Sequence, residues 1–520
     1  MLLDNIQFNC TQLSNGLKAL SLEHAALTAQ ALTVSDITLD SRNVTIEHAF
    51  IAMRGALADG HAYIDDAISR GCKLVLCESI PSENTLEHAK AQDCSILSVT
   101  QLKQRLPTLL SQLFTSQHKT NITAVTGTNG KTSVASLYAQ LALSSQEQSA
   151  CLGTLGLNVY TLENHQVTMH NMPVGVNTTP DIVSHYKVLA LLQAKGINNY
   201  CLEASSHGIE QQRLAGLPIS TAIFTNLTQD HLDYHGTLAA YASAKRGLLK
   251  VSSLKQVVLN ADDPESQQWR DDCAANVSIA WYGKRSENIP ANAEHFCLAS
   301  NLRYTHEGIS FLLTSSWGNA DLHSPLFGDF NVSNLLAALS ARLLQGESFK
   351  ALTEQIKCVK GVLGRMELFV NDSPHANMIV DYAHTPDALQ QALVAARRHT
   401  SGKLYCVFGC GGDRDKTKRP LMGKAASDCS DVVVLTQDNT RNESALEIVN
   451  DIKAGIHGTG DVHVELDRKS AVRWAWKNSH KGDLILVAGK GHEDYLEINN
   501  QRIPYNERAF VQQLSTEAVA

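Results

Sequence analysis

Gly127-Thr128-Asn129-Gly130-Lys131-Thr132 joins an apolar run, Ile122 to Val125, to a helix-compatible stretch, Ser133 to Leu143. Backbone N–H groups at a helix N-terminus attract phosphate. The lysine adds a point charge, and the threonine hydroxyl can reach Mg²⁺. Val125 stands where the first glycine of the longer phosphate-loop pattern would be, so only the shorter G-x-x-G-K-T is present. The strand before it and the helix after it make phosphate binding the expectation. A loop whose lysine merely caps a helix is the alternative.

Ligands of a parallel α/β sheet gather at the carboxyl ends of its strands. Glu203 closes one apolar run and leads into Ala204-Ser205-Ser206-His207-Gly208. Asn226 closes another, ahead of Asp230-His231-Leu232-Asp233-Tyr234-His235-Gly236. A nucleotide's Mg²⁺ prefers hard donors. Glu203 and Thr132 are of that kind, and His231 is softer. His231 and His235 could also be solvent-facing loop histidines, but two such loops at neighbouring strand ends favour a site.

The elements that must hold these residues read as alternating strands and helices. Before residue 115, short apolar runs at Ala49 to Met53, Lys73 to Cys77 and Ser95 to Val99 frame helix-like stretches at Ile64 to Arg70 and Leu102 to Phe114. The middle third has strand signals at Ile122 to Thr126, Tyr200 to Glu203, Ala222 to Asn226 and Gln256 to Asn260, with helical stretches at Ile182 to Ala194 and Leu238 to Leu249. The alternation restarts from Asn377, with strands at Met378 to Asp381, Leu404 to Phe408, Val432 to Thr436 and Leu484 to Ala488. The expected fold is therefore α/β in three domains: 1–115, 116–358 with a central phosphate-loop-type parallel sheet, and 359–520 with a Rossmann-like sheet.

Bulk properties narrow the function classes. A net charge of −8 argues against a broad nucleic-acid-binding face. Twelve cysteines without a C-x-x-C pair argue against a zinc ribbon or a thioredoxin-like centre. No apolar run suits a bilayer, and Met1 to Cys10 lacks a secretory pattern, so a cytoplasmic protein is expected. Neither a membrane nor a nucleic acid is expected as a partner.

Several strings, taken in order, resemble the Mur ligase family: Thr126 to Thr132, Asn177-Thr-Thr-Pro180, Glu203 to His207, Asp230 to Gly236, Leu259-Asn-Ala-Asp-Asp-Pro264, Gly364-Arg-Met-Glu367, Asp381-Tyr-Ala-His-Thr-Pro386 and Gly489-Lys-Gly-His-Glu493. Asp40-Ser41-Arg42 and Asp59-Gly60-His61 are a weaker echo. The resemblance is nearest to the branch that adds the third residue of the peptidoglycan peptide. It implies a monomeric ligase that activates a D-glutamate carboxylate of UDP-N-acetylmuramoyl-L-alanyl-D-glutamate with ATP, through an acyl phosphate. It implies catalytic roles for Lys131, His231 and Lys245, the last carbamylated by CO₂. Two Mg²⁺ sites would draw on Thr132, Glu203, His231 and modified Lys245. Nucleotide contacts would come from Gly127, Thr128, Asn129, Gly130, Lys131 and Thr132, with Asn331, Asn334, Arg365, Asp381 and His384. Ser41, His61, Asn177, Thr178, Thr179, Ser205, Gln211 and Arg213 would hold the UDP-sugar dipeptide. An unmodified, solvated Lys245 is the alternative for that residue.

Family members differ in adding meso-diaminopimelate or L-lysine. Diaminopimelate carries an extra carboxylate, and an arginine fork can bond both of its oxygens. Asp438-Asn439-Thr440-Arg441 resembles the D-N-P-R string of diaminopimelate-adding members, with Thr440 in place of proline. The arginine is retained, so meso-diaminopimelate is the expected amine and L-lysine the alternative. The resemblance adds Arg414 for the carboxylate, and Glu493 with the Gly489 carbonyl for the distal ammonium. Arg414 could instead belong to the solvated charge run Asp413 to Arg419. A regulatory nucleotide switch is the competitor from another class. Its guanine-reading N-K-x-D string would fall at Asn260 to Asp263, where Ala261 replaces the lysine.

Overall fold

Unbroken Val, Ile and Leu runs suit strands buried on both faces, and they form parallel sheets here. The computed structural model describes residues 3, 6–22, 34–55, 58–114, 120–143, 147–163, 166–172, 174, 177–370, 374–457 and 461–517. The expected domain junction at 115/116 touches residues outside that set. The chain divides into two compact units, Met1–Ala280 and Trp281–Ala520.

The first unit opens with a four-stranded parallel sheet of β1 (Asp36–Thr38), β2 (His48–Ala52), β3 (Leu74–Cys77) and β4 (Ser95–Ser98), in chain order. Phe50, Ile64, Ile68, Val75 and Ala89 pack in its core. A second sheet of the same unit contains β5 (Asn121–Thr126), β6 (Ser149–Gly153), β7 (Gly156–Glu163), β8 (Gln166–Met172), β9 (Asn199–Glu203), β10 (Ile219–Phe224) and β11 (Gln256–Asn260). Within the unit the order is β11-β10-β5-β9-β6-β7-β8. Val125 is in register with Glu203, and Thr126 with Phe224. The carboxyl ends of β9, β5 and β10 therefore lie side by side. Each feeds one of the polar loops singled out in the sequence.

The unit boundary falls inside β12 (Ser278–Gly283). The second unit continues with the antiparallel run β13 (His295–Thr305), β14 (Gly308–Ser315) and β15 (Gly318–Ser324), then the helix Asp329–Leu344. Its other sheet has six strands: β16 (Glu367–Phe369), β17 (Asn377–Asp381), β18 (Leu404–Phe408), β19 (Val432–Leu435), β20 (Asp461–Val464) and β21 (Leu484–Ala488), ordered β16-β17-β21-β18-β19-β20. All neighbours are parallel except β16 with β17. Apolar layers cover both faces, one built on Leu389, Leu393 and Ile452, the other on Val472, Trp476 and Val511. A small hairpin of β22 (Tyr495–Ile498) and β23 (Gln501–Pro504) follows.

The α/β class and both parallel sheets agree with the sequence reading. The antiparallel strands β6 to β8 and β13 to β15 were not expected. Thr161, Glu163, Thr168 and His170 interrupt the apolar signal in the first set, because one face of such a hairpin meets water. The helix expected over Leu238 to Leu249 ends at Arg246 and tightens into a 3₁₀ turn, Gly247–Lys250.

Candidate active site

The loop after β5 needs its glycines. Gly127 has φ 145° and Gly130 φ 87°, values that L side chains avoid. A Cβ on Gly127 would also collide with the Thr225 hydroxyl at the end of β10. Gly130 caps the helix Lys131–Ala142, so the loop amides sit at a helix N-terminus. Neighbouring strand ends pin the loop. Thr225 Oγ1 donates to Asn129 O (2.6 Å), and Asn129 N donates to Asn226 Oδ1 (2.9 Å). Asn260 Nδ2 donates to Thr225 O (2.6 Å), and Asp263 accepts from Leu227 N (2.8 Å). The two residues that could have read guanine are thus engaged in holding the strand ends.

Two lysines meet on one carbonyl. Lys131 Nζ donates to Gly127 O (3.0 Å) and Thr128 O (2.8 Å), while Lys245 Nζ donates to Gly127 O (2.7 Å). Lys245 is 1% exposed and lies 4.2 Å from the centre of the Tyr241 ring. Burial, and then the nearby Lys131 charge, push its pKa down to about 6. Tyr241 donates from its hydroxyl to Thr128 Oγ1 (3.3 Å), which ties this helix to the loop. The solvated alternative for Lys245 does not describe this position.

Glu203 is buried at the end of β9, where its Oε1 accepts from Thr154 N (2.9 Å). Gly153 is required opposite, since a Cβ there would collide with the carboxylate. Thr132 is the second residue of the loop helix. His231, at φ 51°, keeps about half its side chain exposed and lies 5.0 Å, ring to ring, from His207. His207 also packs 4.1 Å from Tyr234. His235 is more enclosed and bonds Ser206 Oγ through Nε2 (2.9 Å). Among the described residues, no group of three or more His, Cys, Asp or Glu side chains could hold a metal unaided.

The UDP-sugar candidates come together in the same unit. A cavity of about 950 Å³ is lined by Ser41, Arg42, Lys103, Gln211, Arg213 and Tyr234, among others. Arg213 donates to Gln211 Oε1 (2.6 Å) and to Thr179 O (2.7 Å). Thr179 in turn donates to Glu203 O (2.8 Å) and contacts Ser205 Oγ (3.0 Å). One hydrogen-bonded chain therefore runs from the cavity to the strand end carrying Glu203. Thr178 contacts Thr154 (3.1 Å), and Asn177 is exposed. His61 neighbours the cavity residue Gly60 and is held by Asp59 (2.7 Å). Sequence reading did not assign Lys103, Tyr234 or Tyr241; an isolated lysine or tyrosine carries no local signature.

In the second unit, Asn331 and Asn334 are buried in the first turns of the helix Asp329–Leu344. Asn334 donates to Asn331 Oδ1 (3.0 Å), and Asn331 donates to Phe327 O (2.8 Å). Buried Asp381 accepts from Met366 N and Ala383 N, both at 2.7 Å, and so fixes the turn bearing Arg365. Burial raises its pKa despite those bonds. Arg365 lies over the Tyr382 ring (4.6 Å), and His384 packs on that ring's edge (4.8 Å).

The amine candidates gather at the ends of β19 and β21. Asp438 and Asn439 are buried, and Arg441 reaches Gly412 O (2.8 Å) and Glu497 (3.0 Å). Asn439 Nδ2 donates to Glu493 Oε2 (3.1 Å). Gly489 at φ 113° brings its backbone against Asp438. Fully buried Arg468 pairs with Glu507 (2.7 Å) and donates to Ala488 O (2.8 Å) and Gln437 O (3.2 Å), fixing both strand ends. Arg414 is exposed, its side chain flanking Gly411 with that of Arg441.

The Mur ligase middle-domain model matches residues 125–342, the Mur ligase glutamate ligase domain 364–491, and the Mur ligase family catalytic domain 33–112. A UDP-N-acetylmuramoyl-L-alanyl-D-glutamate--2,6-diaminopimelate ligase of Vibrio vulnificus (strain YJ016) is 39% identical over 485 residues, 93% of this chain and 94% of that protein. The protein of the same name from Haemophilus ducreyi (strain 35000HP / ATCC 700724) is 38% identical over 478 residues, 90% of this chain and 92% of its own. A solved structure of such a ligase is 35% identical with TM-score 0.68, covering 92% of this chain and 94% of that one.

Proposed function

The chain belongs to the Mur ligase family, and from that premise we propose that it joins meso-2,6-diaminopimelate to the D-glutamate side-chain carboxylate of UDP-N-acetylmuramoyl-L-alanyl-D-glutamate, with ATP converted to ADP and phosphate. Likeness to enzymes of that name along nine-tenths of the chain supports the overall reaction. The observation that carries the chemistry is the meeting of Lys131 and Lys245 on the carbonyl of Gly127, at a glycine-built helix N-terminus.

Phosphoryl transfer asks for positioning and charge neutralisation more than for a covalent nucleophile. The loop amides of Gly127 to Thr132 hold the β- and γ-phosphates. Lys131 exchanges its own-loop carbonyls for phosphate oxygens, stronger acceptors because they are charged. The glutamate carboxylate oxygen attacks the γ-phosphorus and ADP leaves. The amine nitrogen then adds to the acyl carbon, the tetrahedral centre collapses, phosphate departs and the nitrogen gives up a proton. The hydrogen-bonded chain from Arg213 through Thr179 to Glu203 supports placing the muramyl dipeptide in the 950 Å³ cavity with its carboxylate toward the loop. Within the second unit, Asn331, Asn334, Arg365, Asp381 and His384 would be nucleotide-contact residues on the family resemblance alone.

The donors present suit Mg²⁺: the Glu203 carboxylate, the Thr132 hydroxyl and His231 would hold it, and it would offset phosphate charge there. The depressed pKa of Lys245 supports carbamylation, because a neutral amine attacks CO₂, giving N–COO⁻ and a proton. That change replaces a mostly neutral amine beside Lys131 with an anion, and would supply a second carboxylate for metal. The reading extends to a monomer of three domains (1–115, 116–358, 359–520) in the cytoplasm, where its twelve unpaired cysteines stay reduced. No described helix is long and apolar enough to cross a membrane.

The test is phosphate release by the purified protein with ATP, the UDP-muramyl dipeptide and either amine. Release with meso-diaminopimelate and little with L-lysine is expected. Lysine-selective release would overturn the assignment of the amine.

A further inference from the structure

Lys490 follows Gly489 at the end of β21, and its side chain is 0% exposed. Its Nζ donates to Glu493 Oε2 (2.6 Å) and to Asn439 Oδ1 (2.9 Å), and lies 3.6 Å from Asp438 Oδ1. It therefore touches three of the groups assigned to the incoming amine. A buried ammonium persists only where opposite charge and hydrogen bonds surround it. Here that charge comes from two carboxylates.

The other ions of this region pair off. Arg441 is matched by Glu497 and Arg468 by Glu507, with Arg468 Nη1 also 4.0 Å from Asp438 Oδ2. Lys490 against Asp438 and Glu493 leaves one negative charge, and counting exposed Arg414, whose side chain flanks Gly411 beside Arg441, brings the formal sum of these groups to zero. A site balanced in this way suits a ligand end that is itself neutral, bearing an ammonium and a carboxylate together. Without the Lys490 charge the same site has one negative charge in excess. It would then suit a ligand ending in an ammonium alone.

We propose that Lys490 is a specificity-determining residue of the amine site, its ammonium cancelling one of the two carboxylates so that a zwitterionic amino-acid end is preferred to a lone ammonium. This rests on the reading of meso-diaminopimelate as substrate. Lys490 acts through its neighbours, as a positioning residue. Asn439 Oδ1 accepts from both Lys490 Nζ and Glu497 N (2.8 Å), so the lysine also sets the side chain that donates to Glu493.

The experiment compares the full-length enzyme with Lys490→Met and Lys490→Arg in phosphate release, using meso-diaminopimelate and L-lysine as competing amines. One uncompensated charge at this range is worth about a factor of ten. Lys490→Met should raise the ratio of kcat/KM for lysine over diaminopimelate by about tenfold, with KM for ATP changed less than about twofold. Lys490→Arg should restore the wild-type ratio. If Lys490→Met gives no folded protein, Lys490→Gln keeps donors for Asn439 and Glu493 and reads the same ratio. Equal losses for both amines, with the ratio unchanged, would make Lys490 a purely structural residue and overturn the proposal. A wild-type enzyme that ignores diaminopimelate would instead sink the substrate reading, an outcome visible before any variant is made.

Discussion

Among the described lysines, Lys245 should be the one that takes up CO₂ at neutral pH. An ordinary lysine, with a pKa near 10.4, is neutral in only about one molecule in a thousand at pH 7.4. Burial against Tyr241 and the charge of Lys131 bring Lys245 to about 6, so it is neutral in most molecules at the same pH. Its reactive fraction is then roughly a thousandfold larger than that of a surface lysine. The sign follows directly: a depressed lysine is protonated, and inert toward CO₂, below its folded pKa, and becomes reactive as pH rises through it. The perturbation is a pH series from 5 to 9 at fixed dissolved ¹³CO₂, and the assay is the carbamate resonance in ¹³C NMR. One dominant signal should build up at an initial rate whose pH midpoint lies near 6, and vanish in Lys245→Met. Lys131→Met removes the second cause of the depression and should move the midpoint upward. A midpoint near 9 or above, or a signal shared among many lysines, would refute the argument and return Lys245 to solvent. Activity offers an independent check. Lys245→Ala should cut ligation and regain part of it with added short-chain carboxylates, which supply the missing anion.

Three other substitutions test the remaining parts of the site. Lys131→Ala should lower phosphate release by about a hundredfold or more, because preorganised charge at the phosphates is lost, while calorimetry still shows the UDP-linked substrate binding; retained release would move the triphosphate elsewhere. Arg441→Ala should raise KM for meso-diaminopimelate by about tenfold or more through loss of a charge-assisted bond, with KM for ATP unchanged, and equal effects on both would undo its role. Gly127→Ala forces a side chain into a φ of 145° and against Thr225; at about 1–3 kcal/mol of strain it should weaken ATP binding measured by calorimetry by about 5- to 150-fold, and wild-type affinity would show that the loop does not hold phosphate.

What could be read from the sequence was local. Gly127, Gly130 and the strand–helix flanks announce the glycine-built loop at the end of β5, because its backbone conformation demands those residue types at those places. Strands β5, β9, β18 and β21 were legible because burial on both faces leaves continuous apolar runs. Strands β7, β8 and β13 to β15 were not, since half-solvated strands dilute that signal with Thr, Asn and His. Strand order was equally hidden. Nothing local to Glu203 says that its strand lies beside β5, yet that neighbourhood is what turns a strand-end carboxylate into a candidate metal donor.

The properties that matter most for chemistry are those most dependent on distant partners. Lys245 is a helix residue followed by Arg246, and from sequence it could have been solvated. Its depth comes from the helix Leu238–Arg246 packing against the loop at Gly127, more than a hundred positions away, with Tyr241 sealing one side. Lys490 is similar, since its partners Asp438 and Asn439 reach it only because β19 and β21 both flank β18. A motif can state which side chains a site possesses, but the charge each one carries is set by neighbours that only the folded sheet supplies. In both places the proposed role, CO₂ uptake at one and choice of an amino-acid end at the other, rests on a lysine whose neighbours set its charge. For that reason the informative variants are those that change charge at nearly constant volume, Lys245→Met and Lys490→Met, rather than truncations that would change packing and charge together.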